Sequence, residues 1–141
     1  MERAEDKTIL VVDDEPNVIA GLRRMLRSQR SEWEMEFSTS AREALERMTK
    51  TSFDVIVTDM RMPGMDGAHL LSEVMKRHPN TVRIMLSGQS DQEAILQAVG
   101  PAHQFLSKPC EPDLLKSTIS RACTLRAKLA NESLKNLISH T

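Results

Sequence analysis

The chain has 141 residues, 40% hydrophobic and 28% charged, with a formal net charge of −1. This length and composition are typical of one soluble globular domain with a short appendage. The near-neutral charge and the aromatic content of 3% argue against a nucleic-acid partner, an anionic membrane surface or a base-stacking surface.

The N-terminus and the cysteines indicate the compartment. The polar start, MERAEDKT, lacks the apolar core of a signal peptide, and no apolar run is long enough to span a membrane. We therefore expect a cytoplasmic protein. Cys110 and Cys123 form no C-x-x-C pair, which favours free thiols of a reducing compartment over a disulfide.

The chain begins with a strand, a helix and a second strand. Thr8 to Val12 is apolar and β-branched, as expected of a strand (β1) buried on both faces of a parallel sheet. Pro16 suits the first turn of a helix (α1), whose predicted core stripe is Val18, Leu22, Met25 and Leu26. Trp33 to Phe37 alternates apolar and charged residues, which is typical of an edge strand (β2).

The middle of the chain repeats this alternation. Ser40 and Glu43 have capping-box spacing, which predicts a second helix (α2) that buries Ala41, Ala44, Leu45 and Met48. Phe53 to Thr58 is another buried strand (β3). Asp66 can cap a third helix (α3), predicted to end at His78 and to bury Leu70, Leu71, Val74 and Met75.

Two more strand and helix pairs complete the pattern. Val82 to Leu86 is a fourth strand (β4), and Ser90 opens a short helix (α4) through Val99 that Gly100-Pro101 breaks. Phe105-Leu106 belongs to a short fifth strand (β5). Pro112 opens a last helix (α5) whose predicted buried residues are Leu115, Ile119 and Ala122.

Five strands alternating with five helices predict an α/β fold, a parallel sheet covered on both faces. Helical composition continues past Ala122, although the step from Leu129 to Leu134 interrupts any heptad. Three roles for this tail therefore stay open: packing on the domain, pairing with a partner, or connection to a further domain.

Polar side chains follow four of the predicted strands: Asp13 and Asp14 after β1, Asp59 after β3, Ser87 after β4 and Lys108 after β5. Because parallel strands end at the same edge of a sheet, we expect these residues to meet in one crevice. Taken singly, each has an ordinary interpretation as a helix cap, a turn residue or a surface lysine. Their joint placement at one edge favours a functional site.

Three carboxylates in one crevice repel one another, and a divalent cation relieves that repulsion. Carboxylate, carbonyl and water oxygens suit Mg²⁺, with Mn²⁺ as an alternative. A metal with open positions favours a phosphoryl ligand. The pattern thus predicts phosphoryl transfer onto Asp59, with Lys108 and the Ser87 hydroxyl contacting the phosphoryl oxygens.

Four motifs resemble the receiver domain of two-component response regulators: VVDDEP, the MRMPGMDG that follows Asp59, LSG at 86–88 and FLSKP at 105–109. The resemblance implies a flavodoxin-like (βα)5 fold with sheet order 2-1-3-4-5. It also implies that Asp59 accepts a phosphoryl group from a phosphohistidine on a histidine kinase or phosphotransfer protein. It divides the chain into a tail (1–6), a receiver domain (7–126) and a helical extension or linker toward an output domain (127–141).

The resemblance further implies a role for each site residue. Asp14, Asp59 and the backbone carbonyl of Arg61 would bind Mg²⁺ directly, and Asp13 would act through water. The Lys108–Pro109 peptide bond is expected to be cis.

A switch is implied as well. Ser87 would move toward the phosphoryl group and Phe105 would then turn inward, which changes the face made by α4, β5 and α5. A plain core role is the alternative for Phe105.

The resemblance implies that Arg61 and Gln89 border the site and influence how fast the phosphoryl group is gained and lost. Arg61 would either shield the phosphoryl group and slow its hydrolysis, or steer small anionic donors inward. Pro101 stands where receivers usually have glycine, and it could shorten α4 or reshape the output face.

The residues at the strand ends distinguish three functions. A signalling switch with only slow self-catalysed phosphotransfer and hydrolysis accounts for the complete acidic, hydroxyl and lysine set. A pseudo-receiver would lack part of that set, and a Mg²⁺-dependent phosphohydrolase would carry Asp-x-Asp after its first strand. The expected partners are a histidine kinase or phosphotransfer protein and a second copy bound through the α4-β5-α5 face or the C-terminal helix. No nucleic-acid or membrane partner is expected, and the output stays unknown.

Overall fold

The computed structural model describes residues 7–88, 100, 102–108 and 111–139. Five predicted features lie outside these residues: α4, Gln89, Pro101, the Lys108–Pro109 peptide bond and Cys110. Within the described ranges, no helix has both the length and the apolar character needed to cross a membrane.

The strands form one five-stranded sheet in the order β2-β1-β3-β4-β5, with every neighbouring pair parallel. Their bounds are Lys7–Val12, Trp33–Ser38, Val55–Asp59, Val82–Ser87 and Gln104–Ser107 for β1 to β5. The predicted strands and the predicted flavodoxin-like order are therefore confirmed. Asp59 is the last residue of β3 and so stands at the carboxyl edge of the sheet.

The helices lie where the caps and stripes predict them. Their bounds are Pro16–Leu26 for α1, Ala41–Lys50 for α2, Gly67–Arg77 for α3 and Pro112–Ser139 for α5. The Ser40 hydroxyl accepts a hydrogen bond from the Glu43 amide at 3.2 Å, and Asp66 Oδ1 accepts one from the His69 amide at 2.8 Å. Both predicted caps are confirmed, although the Glu43 carboxylate accepts from the Ser38 hydroxyl rather than returning to Ser40.

Each face of the sheet carries its own apolar core. Ile9 and Val11 of β1 pack with α1 and α5, whereas Leu10 and Val12 pack with α2 and α3. Successive side chains of a strand point to opposite faces, so a strand covered on both sides must be apolar throughout. This accounts for the unbroken apolar run that predicted β1.

Two predicted core positions are wrong. Val18 of α1 is 38% exposed and Met75 of α3 is 36% exposed. Each residue of a helix is rotated by about 100° from the one before it, so a neighbour of a core residue lies at the edge of the buried stripe. In α1 that stripe is Ile19, Leu22 and Leu26, and Met25 only packs against its margin.

Helix α5 is fixed to the sheet along its first half. Leu115, Ile119 and Ala122 are buried as predicted, and Cys123 is a buried free thiol. Burial raises the pKa of Cys123 to about 11, and the charge of Asp54 adds to this effect. We infer that the Cys123 thiol is chemically inert in the folded protein.

We therefore expect Cys123 to resist thiol reagents in a Cys110→Ser variant. At pH 8 only about one in a thousand such thiols is ionised, and the buried sulfur is out of reach of the reagent. Aromatic disulfide titration should show slow labelling in buffer and full labelling in concentrated urea. Complete labelling of the folded variant within seconds would contradict the burial of this thiol.

Candidate functional site

The carboxyl edge of the sheet brings three aspartates together. Carboxylate oxygens of Asp13, Asp14 and Asp59 lie within 4.8 Å of one another. The Asp13 amide donates to the Ser38 carbonyl of β2 at 3.1 Å, which continues the ladder between β1 and β2 by one residue. The predicted convergence of the ends of β1 and β3 is therefore present.

Lys108 reaches the same cluster from the end of β5. Its Nζ forms an ion pair with Asp59 Oδ1. Its amide donates to the Ser87 carbonyl at 2.9 Å, so β4 holds the residue that follows β5. One ammonium thus faces three carboxylates, and two negative charges of the cluster remain unbalanced by it.

Asp13 is the most buried member, with 1% of its surface exposed. Its Oδ1 accepts a hydrogen bond from the Glu15 amide at 3.0 Å. Its Oδ2 has no hydrogen-bond partner among the described residues. Burial raises the pKa of Asp13, and the charges of Asp59 and Asp14 raise it further, against the lowering effects of the Glu15 amide and Lys108.

The sequence interpretation missed the hydrogen bond from the Glu15 amide. Its signal is nonetheless present in Asp13-Asp14-Glu15-Pro16, because an aspartate often accepts a hydrogen bond from the amide two residues later. This bond fixes Oδ1 of Asp13, while Oδ2 has no hydrogen-bond partner among the described residues.

The donor set suits a hard divalent cation. Each residue of the cluster offers a carboxylate oxygen, Asp13 Oδ2 is buried with no hydrogen-bond partner in the described part of the chain, and the cluster carries excess negative charge. Hard cations bind oxygen ligands and relieve such repulsion. The residues present therefore fit a Mg²⁺-type ion.

The remaining predicted site residues lie around this cluster. Ser87 is buried and directly follows Leu86, the register partner of Asp59. Phe105 is half-buried, pairs in register with Met85, and packs against the core on the α2 and α3 face. Arg61 is exposed two residues beyond Asp59.

Three methionines follow Asp59 in the loop that joins β3 to α3. Met60 and Met62 are buried in the core on the α2 and α3 face, and Met65 packs against its margin. The loop is therefore anchored to this core by its own apolar side chains.

The fold and the cluster define a class: a doubly wound α/β domain with an acidic crevice and one lysine at the carboxyl edge of its sheet. Residues 9–120 match the response regulator receiver domain family. The chain belongs to this family, and it is a receiver domain of two-component response regulators, a signalling domain.

Known relatives and structures agree with this assignment. The chain is 40% identical over 117 residues to the hydrogenase transcriptional regulatory protein HoxA of Cupriavidus necator. The aligned region covers 82% of the chain and 24% of HoxA. It is 31% identical to the response regulator protein PilR of Pseudomonas aeruginosa, over 88% of the chain and 28% of PilR. A response regulator receiver domain from Clostridium thermocellum superposes with a TM-score of 0.78 at 33% identity, over 88% of this chain and 98% of that one.

The chain spans about a quarter of the length of the curated relatives it matches. The similarity therefore concerns the receiver portion of those proteins.

We expect Asp13→Asn to stabilise the metal-free protein. The asparagine keeps an oxygen for the Glu15 amide but removes one of three crowded charges. Two like charges about 4 Å apart repel by up to about 4 kcal/mol at an effective dielectric constant of about 20, so a net gain on the order of 1 kcal/mol is expected. Urea unfolding in the presence of a chelator measures it.

Glu46→Gln is the matched control for this substitution, because Glu46 is exposed on α2 and lies outside the aspartate cluster. It should leave the free energy of unfolding nearly unchanged. A metal-free Asp13→Asn protein that is less stable than the native chain would contradict the repulsion described above.

Proposed function

We propose that this chain is a phosphoryl-accepting receiver in which Asp59 takes a phosphoryl group from a phosphohistidine in the presence of Mg²⁺. The donor is a histidine kinase or a phosphotransfer protein. The observation that carries the proposal is the meeting of Asp13, Asp14 and Asp59 with Lys108 at one edge of the sheet.

The transfer uses the Asp59 carboxylate as the nucleophile. One carboxylate oxygen attacks the phosphorus, a P–O bond forms, and the P–N bond to the histidine breaks with its electron pair going to the imidazole nitrogen. Lys108 already contacts Asp59 Oδ1, so its ammonium is close to the incoming phosphoryl oxygens. The Ser87 hydroxyl would donate a further hydrogen bond, and its place directly after Leu86, the register partner of Asp59, supports this role.

Asp14, Asp59 and the backbone carbonyl of Arg61 would hold Mg²⁺, with Asp13 acting through water. When bound, the ion neutralises charge on the phosphoryl oxygens. The support for this assignment is the oxygen-only donor set and the orphaned Oδ2 of buried Asp13. Mn²⁺ has the same preference for oxygen ligands and would substitute.

The response to phosphorylation would run through β4 and β5. Ser87 moves toward the new phosphoryl oxygens and Phe105 turns inward, which alters the α4-β5-α5 face. The half-buried state of Phe105 supports this, because its side chain packs at the margin of the core rather than within it. Gln89, which borders the site, would affect the lifetime of the phosphoryl group together with Arg61.

The phosphohistidine partner would dock beside the first turns of α1 and α5. Val18 is 38% exposed and Leu114 is 46% exposed, and both are large apolar side chains. Helix α1 begins three residues after Asp13, and α5 begins four residues after Lys108, so both first turns flank the acidic crevice. Exposed apolar residues beside a reactive site suit a transient protein contact.

Residues 7–126 would form the receiver domain, and the extension from 127 would lead to an output domain. Helix α5 continues to Ser139, about 20 Å of helix beyond Arg126 at 1.5 Å per residue. The chain spans only about a quarter of the length of its curated relatives, which supports the proposal of a further output domain. Such a helix, or the α4-β5-α5 face, would also serve a homodimer in the cytoplasm.

We expect the native chain to gain one phosphoryl group from a small acyl phosphate with Mg²⁺, and Asp59→Asn to gain none. The amide cannot act as the nucleophile. Intact-protein mass spectrometry measures the gain, and base lability of the product identifies an acyl phosphate. Asp113→Asn, at the exposed first turn of α5, is the control and should be phosphorylated like the native chain.

Two outcomes would contradict the proposal. A native chain that takes up neither phosphoryl nor beryllofluoride would be a pseudo-receiver. Repeated release of inorganic phosphate at a high rate, with no phosphorylated protein at any time, would indicate a phosphohydrolase.

We expect Arg61→Ala to shorten the lifetime of the phosphorylated protein. The long cationic side chain would shield the phosphoryl group from water, and its loss should speed hydrolysis by roughly twofold to tenfold, up to about 1.4 kcal/mol in the barrier. The alanine keeps the backbone carbonyl at this position. Loss of the protein-bound phosphoryl group over time provides the measurement.

Arg30→Ala is the control, because Arg30 is exposed before β2 at the opposite end of the sheet. An equal or longer lifetime in Arg61→Ala than in the native chain would refute the shielding role. Arg61→Lys keeps the positive charge but removes the guanidinium group, so its phosphoryl lifetime shows which of the two is needed.

A further inference from the structure

Gly67, the first residue of α3, lies against the backbone of the phosphoacceptor. A Cβ atom added to Gly67 would overlap the carbonyl oxygen of Asp59, and it would lie 3.0 Å from the Asp59 carbonyl carbon and 3.0 Å from Met60 Cα. These are backbone atoms, which cannot rotate away as the end of a side chain can. Any side chain at this position must displace either α3 or the end of β3.

The same backbone segment is held by hydrogen bonds on two sides. The Gly67 amide donates to the Met60 carbonyl at 2.8 Å, and the Met60 amide donates to the Leu86 carbonyl of β4 at 3.1 Å. The peptide that follows Asp59 is therefore fixed between β4 and the start of α3. Its orientation constrains where the Asp59 side chain can point and, two residues further along the chain, the direction of the Arg61 carbonyl.

The glycine is required by space rather than by backbone conformation. Gly64, in the preceding loop, has a φ of +78° that favours glycine by itself. Gly67 has no positive φ, and it stands at a helical position where alanine is the better helix former. The contact with Asp59 is the feature of Gly67 that accounts for a glycine here.

We propose that Gly67 is a positioning residue for the phosphoryl site: its missing side chain lets α3 hold the Asp59–Arg61 backbone in the geometry that binds the metal. This inference rests on the proposed function, since it concerns how the same site is built. The sequence carries a faint signal for it, because a glycine directly after the helix-capping Asp66 weakens the helix it begins.

Gly67→Ala tests the inference against two control variants. Gly21→Ala also adds a methyl group to a helical glycine, but its nearest neighbour is the end of the flexible Arg24 side chain at 4.0 Å. Val74→Ala removes buried apolar contact from α3 and thereby lowers stability without touching the Asp59 backbone. Urea unfolding measures the free energy of unfolding of all three variants. An effect on the site can then be compared with the loss of stability in each variant.

The first readout is the amide spectrum of the metal-free proteins. Gly67→Ala should shift the amide signals of Asp59, Met60 and Arg61, whereas Gly21→Ala and Val74→Ala should leave them in place. The second readout is Mg²⁺ affinity from titration of the same spectra. We expect it to fall by roughly 10- to 100-fold in Gly67→Ala, the range seen when residues that orient metal ligands are replaced, and to stay unchanged in both controls.

The outcomes separate this inference from the proposed function. A native chain whose spectrum does not respond to Mg²⁺ overturns the proposed function, whatever Gly67→Ala does. A native chain that responds, together with a folded Gly67→Ala that binds Mg²⁺ equally well, overturns the positioning role alone. Equal losses of affinity in Val74→Ala and Gly67→Ala also overturn it, because the effect would then follow stability.

If Gly67→Ala does not fold even with a stabilising osmolyte, Asp66→Ala takes its place. This variant keeps the glycine but removes the cap on the first turn of α3. Weaker Mg²⁺ binding by Asp66→Ala then supports a role for this turn in positioning Asp59, and unchanged binding contradicts it.

Discussion

The structure depends on one electrostatic constraint: parallel strands that end together bring three carboxylates within 4.8 Å of one another. Free carboxylates in water would move apart, but the backbone holds these three in place. Asp59 lies within the ladder between β3 and β4, and Asp13 extends the ladder between β1 and β2. The carboxylates cannot relieve their repulsion by moving apart, because the strands are fixed. The crevice therefore favours the binding of a positive charge.

The two apolar cores enforce this arrangement. β1 and β3 are the inner strands next to the acidic cluster, and their residues 9–12 and 55–57 are at most 1% exposed. Burial on both faces fixes the register of these strands, because a slip by one residue would exchange the side chains of the two cores. Apolar packing thus supplies the free energy that holds the carboxylates together.

Most of the fold and the cluster could be predicted because the relevant signals are local. Apolar runs mark β1 and β3, the Ser40 and Asp66 caps mark the starts of α2 and α3, and the carboxylates follow directly on the strands. The prediction of buried residues fails where neighbouring apolar residues of a helix could each belong to its core-facing stripe. Val18 and Met75 are apolar next to better-placed core residues, and periodicity alone does not fix the rotation of a helix against its sheet.

The role of Gly67 could not be predicted in the same way, because it depends on a contact between residues eight positions apart across a loop. The structure shows the steric requirement, because a Cβ at this position would overlap the Asp59 carbonyl oxygen.

Lys108 links Asp59 to β5, the shortest strand of the sheet. β5 has only four residues; Gln104 and Ser107 are exposed, Phe105 is half-buried, and only Leu106 is buried. Lys108 follows this strand directly and forms an ion pair with Asp59. Any change of charge on Asp59 alters the force on Lys108, while β1 and β3 are held by both cores. We therefore expect β5 to be the first strand to move, since it has the fewest apolar contacts to lose.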